Sequence, residues 1–67
     1  MVKIGDRITI KPVTFSVTGA NGKEKAIPGT VVYVHPAGRF CTLEFAVGNL
    51  GATIRESFKL VEGEILE

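Results

Sequence analysis

The sequence predicts an all-β fold, a small barrel of about five short strands. Three observations lead there. Apolar residues recur with a period of two in several segments, and Gly and Pro separate those segments at turn-like intervals. No stretch has the length and apolar period of an amphipathic helix. Closing such a sheet also removes edges that would otherwise invite aggregation.

The first segment, "KIGDRITIK", carries Ile4, Ile8 and Ile10 on one parity, with Gly5-Asp6 as an early kink. β-Branched residues at alternate positions favour a half-buried strand, and Pro12 ends or bends it. Val13, Phe15 and Val17 then alternate with Thr14, Ser16 and Thr18, which predicts a second extended stretch. Asn21-Gly22 follows as a turn dipeptide inside a charged, solvated loop.

The stretch "PGTVVYVHPAGRFCTLEF" predicts a hairpin across residues 28–45. Pro36-Ala37 suits the centre of a type I turn, and Gly38 suits the left-handed residue of a following bulge. That turn sets His35 opposite Arg39, Val34 opposite Phe40, Tyr33 opposite Cys41 and Val31 opposite Leu43. Val31, Tyr33, Cys41, Leu43 and Phe45 then form the core face. Thr30, Val32, Val34, Phe40, Thr42 and Glu44 form the other. A slip of one residue would exchange the faces on one strand.

Gly48, Asn49 and Gly51 are the expected pivots of the next turn, before "ATIRESF" resumes extended structure. Ile54 and Phe58 are its core candidates. The interval between them is read as out of step with one strand, so a short 3₁₀ turn is expected at Arg55-Glu56-Ser57. "KLVEGEILE" supplies a last short strand and a frayed acidic end.

Composition narrows the function. A chain of 67 residues, 45% hydrophobic and 22% charged, is expected to be one globular domain spanning 1–67. A core this small supplies only about 3–5 kcal/mol, so a partner or self-association would help. The formal net charge of +1 predicts at most weak nucleic-acid binding with a shallow salt dependence. A lone cysteine excludes an internal disulfide and fits a reducing compartment. No apolar run of membrane-spanning or signal-peptide length occurs, so the expected location is the cytoplasm, without membrane contact.

"GDRITI", "PGTVVYVHPAGRFCTLEF" and "IRESFKL" resemble small SH3-like barrels, including the KOW type of ribosomal and transcription-factor proteins. The matching positions are Gly5-Asp6 with Ile8, and Gly29 with Val31 and Val34. "VVYVHPAGRF" and "RESF" also resemble short proteins carried by prophages and mobile elements of Gram-positive bacteria. The resemblance implies an SH3-like barrel, a bacterial mobile-element setting, and contact with RNA or protein.

Each chemically capable residue has a functional and a structural reading. His35 would need Asp6, Cys41 or a glutamate nearby to serve catalysis or a metal; otherwise its ring caps backbone groups in the turn or pairs with Arg39. Cys41 is a nucleophile only beside a cation that lowers its pKa, and otherwise a small core hydrophobe. Arg55-Glu56-Ser57 either forms a capped turn or presents Arg55 to a partner. Arg7, Lys11, Arg39 and Arg55 become a nucleic-acid platform only if they converge with Phe40 or Tyr33 on one face. No phosphate loop, nucleophile elbow, zinc-helix signature or dinucleotide fingerprint is present.

The expected function is therefore a small non-enzymatic binding or adaptor module, with no cofactor, no metal and no small-molecule substrate. Its expected partner is a protein or a second copy of itself, and the alternative is a KOW-like nucleic-acid-binding accessory protein. The expected partner surface is the second hairpin face, Val32, Val34 and Phe40, with Arg39 and Arg55 beside it. An apolar patch of this kind marks a contact surface.

Overall fold

A computed structural model describes residues 1–13, 19, 22–47 and 51–65. It has five strands, β1 (Arg7–Ile10), β2 (Ile27–Val34), β3 (Phe40–Val47), β4 (Ala52–Val61) and β5 (Glu64–Ile65). They form one antiparallel meander in the order β1-β2-β3-β4-β5, curled into a half-barrel compatible with an SH3-like barrel. No helix occurs among the described residues. The extended stretch expected over 13–18 lies outside them beyond Val13, as do Asn21, the pivots Gly48 and Asn49, and the last residues 66–67.

Period-two alternation builds the concave side. Ile10, Ile27, Val31, Cys41, Leu43, Phe45, Phe58 and Leu60 are buried there, joined by Val2 from the N-terminal segment. Ile8 packs against this cluster, whereas Ile4 is 67% exposed because the chain turns before β1 begins. That turn is made by the Gly5-Asp6 kink. Gly5 has a φ of 96°, the Asp6 N–H donates to the Lys3 carbonyl at 3.1 Å, and Asp6 Oδ2 accepts the Lys3 N–H at 2.9 Å. The kink then exchanges hydrogen bonds with Val31, whose N–H donates to the Asp6 carbonyl at 2.9 Å and whose carbonyl accepts the Gly5 N–H at 2.8 Å.

The hairpin turn forms as its residues predict. Gly38 has a φ of 71° and donates its N–H to the His35 carbonyl at 2.8 Å, enclosing Pro36-Ala37. The register beyond it differs from the expected one. Val31 does face Leu43, but Tyr33 faces Thr42 and Val34 faces Cys41, with a shift between Val31 and Tyr33. One extra residue, Val32, stands in β2 without an opposite number. Such a bulge reverses the parity of everything beyond it. Tyr33 is therefore excluded from the core and 43% exposed, and Val34 turns inward against the core cluster.

β4 is continuous, so the 3₁₀ turn expected at Arg55-Glu56-Ser57 does not occur. A spacing of four is two whole periods of a strand, and Ile54, Glu56, Phe58 and Leu60 all point inward. Glu56 is thus an acid among hydrophobes, only 5% exposed. Its Oε1 accepts the Val13 N–H at 2.8 Å, which holds the chain leaving β1 across the concave side, while its Oε2 has no hydrogen-bond partner among the described residues. At the other end of the sheet, the Val2 N–H donates to the Gly63 carbonyl at 3.2 Å. This ties the N-terminal segment to the turn between β4 and β5.

A close approach of ring to backbone lies at Phe45. Its ring is fully buried, meets Phe58 edge-on with centroids 6.3 Å apart, and rests on Gly29. A Cβ at Gly29 would stand 2.8 Å from Phe45 Cε1, inside contact distance of a ring that cannot swing into solvent. Gly29→Ala should accordingly destabilise the fold by about 1–3 kcal/mol through overpacking. In urea titrations the penalty should shrink in a Phe45→Leu background, which removes part of the ring. An equal penalty in both backgrounds would show that the ring is not the obstacle.

Candidate functional site

The bulge decides what the convex face displays. Tyr33 and Phe40 lie on it side by side, with ring centroids 5.8 Å apart, and the His35 ring lies 5.0 Å from Phe40 at the hairpin end. Phe40 is half-buried beneath these neighbours. The register places Lys59 directly across from Phe40, and Ser57 across from Thr42. Thr42 Oγ1 and Ser57 Oγ share a hydrogen bond of 3.0 Å. One row further from the hairpin end, Arg7, Thr30, Glu44 and Arg55 run across four strands.

The expected patch of Val32, Val34 and Phe40 is therefore not assembled. Val34 has passed to the concave side and Val32 is half-buried at the bulge, so Phe40 keeps company with Tyr33 instead. Arg39 is exposed on the hairpin turn next to Phe40. Arg55 is held against the sheet, its Nε donating to Glu44 Oε2 at 2.9 Å. An exposed pair of this kind contributes about 0–1 kcal/mol, and it restrains Arg55 more than it stabilises the fold. Arg7, Arg55 and Lys59 share the convex face, whereas Lys11 lies past the end of β1.

The chemically capable residues sit as structural parts. His35 Nδ1 accepts the Ala37 N–H at 3.0 Å, so the ring caps the turn. Cys41 is fully buried between Val34 and Phe58 in the register. Burial pushes its thiol above the ordinary value of 9.0. Among the described residues, no three His, Cys, Asp or Glu side chains come together as a metal site, and no helix is long and apolar enough to cross a membrane. A cleft of about 490 Å³ opens between the hairpin turn and the β4–β5 turn, floored by Val2, Val34 and Leu60. His35 and Glu62 are the polar side chains on its walls, His35 already engaged in capping the turn.

No protein-family model, curated protein or solved structure matches the chain.

The environment of Cys41 has a measurable consequence. With its folded-state value raised, the unfolded chain ionises first as pH climbs past 9.0. Stability should be independent of this thiol below that pH and then fall by up to about 1.4 kcal/mol per pH unit. Urea titrations of wild type and Cys41→Ala across that range should differ by this slope. Parallel curves would contradict the burial of the thiol.

Proposed function

We propose that this chain is a non-enzymatic binding module whose contact surface is the convex face of β2, β3 and β4. The observation that carries the reading is the exposed Tyr33 ring packed beside the half-buried Phe40, the two set on neighbouring hydrogen-bonded strands rather than on a loop. A rigid sheet presents rings at little entropic cost, and buried aromatic anchors dominate binding energy at interfaces. The first reading of the partner is a protein surface or a second copy of the chain. A second reading, nucleic acid, is favoured by one arrangement: Arg7, Arg55 and Lys59 share the face with the rings, and Glu44 is the acid among them. The setting we infer is the cytoplasm of a bacterium carrying a prophage or mobile element, on the likeness of "VVYVHPAGRF" and "RESF" to such proteins.

The test compares Tyr33→Glu with Lys3→Glu, an exposed change on the N-terminal segment. Light scattering reports self-association, and retention on the immobilised chain reports capture of other macromolecules. Tyr33→Glu should weaken whichever association wild type shows by roughly 30-fold, the size of a contact hot spot. Lys3→Glu should leave it intact, and both variants should keep a cooperative thermal melt. Equal behaviour of the two variants would remove the convex face as the contact surface.

A further inference from the structure

We propose that the convex face binds single-stranded nucleic acid, stacking a base on Tyr33 beside Phe40 while Lys59 and Arg7 follow the phosphates. The inference rests on the convex face being the contact surface and decides between the two readings of its partner. Three features support it together. The rings are neighbours on adjacent strands, at 5.8 Å and tilted by 39°, so Phe40 supports the exposed Tyr33 ring from the side. Any base can stack on such a surface, which makes this contact tolerant of sequence.

Charge is the second feature. The chain as a whole has a formal charge of only +1, but its charges are not evenly placed. On the convex face Arg55 is paired with Glu44, which leaves Arg7 and Lys59 as cations without an acid across from them in the register among the described residues. Glu56 is on the concave side, and Glu62 and Glu64 are at the β4–β5 turn. A polyanion is therefore drawn to the face that carries the rings. Third, the Thr42 and Ser57 hydroxyls continue the row of Tyr33 across the sheet, between the Phe40–Lys59 row and the Glu44–Arg55 row. They can exchange their mutual hydrogen bond for contacts to sugar or phosphate oxygens. A duplex hides its base faces inside the stack, so the rings would have nothing to hold.

The experiment is a fluorescence anisotropy titration at about 50 mM salt with a labelled oligothymidylate of about 15 nucleotides and with its duplex. The single strand should bind more tightly than the duplex, with a salt slope of about −1.4 for two phosphate contacts. Tyr33→Ala should weaken binding by about 5- to 150-fold. Lys59→Gln should weaken it and reduce the slope by about 0.7. Lys3→Gln, which removes the same charge from the N-terminal segment, should leave binding unchanged. Thermal melts confirm folding, and Lys59→Gln, an exposed change, keeps the test decisive should Tyr33→Ala prove unstable.

Equal affinity for duplex and single strand would overturn the proposal, as would equal losses in Lys59→Gln and Lys3→Gln. If the single strand does not bind but the chain associates through Tyr33 with itself or with a protein, nucleic acid is wrong and the contact face stands. If Tyr33→Glu alters no association of any kind, both fail.

Discussion

The extra residue in β2 at Val32 is the constraint on which both faces of this sheet depend. Without it, Tyr33 would point into the core opposite Cys41, and Val34 would point out beside Phe40. With it, the smaller Val34 packs inside and the ring with a hydroxyl reaches water. The hydrogen bonds around Val31 show why the strand accepts the irregularity. Both of its backbone polar groups are taken by the Gly5-Asp6 kink, so β2 is pinned to the N-terminal segment just before the bulge. A bulge sharpens the local twist of a strand, and a sheet this short needs that twist to curl into a half-barrel.

Inside the curl, packing is decided by one close approach. Phe45 fills the space above Gly29, and only a residue without a side chain leaves room for it. The edge-on contact with Phe58 then links β3 to β4 across the core. Glu56 works against this apolar packing, with one carboxylate oxygen hydrogen-bonded and the other buried without a hydrogen bond among the described residues. What it supplies is a tether to Val13, 43 positions away in the chain. A buried, half-satisfied carboxylate is a destabilising choice compared with an apolar residue. Here it gives the segment leaving β1 a defined hydrogen-bond acceptor on the concave side.

Much of this architecture was legible in the residues, and the failures have identifiable physical causes. Alternation found the inward set Ile8, Ile10, Leu43 and Phe45, and turn chemistry found Pro36-Ala37-Gly38. The bulge was hidden because "TVVYV" carries valine on both parities, so its pattern is satisfied in either phase. Only hydrogen bonding to a kink some 25 residues earlier breaks the tie. In β4, Ile54 and Phe58 already share a parity; reading them as out of step displaced Glu56 into a turn that does not exist. A buried glutamate has no pattern of its own, since its backbone partner comes from a distant segment. The candidate site suffered most, because moving Val34 inward and Tyr33 outward replaced the valines beside Phe40 with a second ring.

Tyr33 is the sole tyrosine and the chain has no tryptophan, so intrinsic fluorescence reports on this position alone. Acrylamide quenching of the native chain therefore tests the bulge most directly. If Val32 is the extra residue, native and urea-unfolded chains should be quenched to a similar extent, because the ring is open to solvent in both. A native Tyr33 strongly protected from quenching, and released only on unfolding, would place the ring in the core and contradict the account.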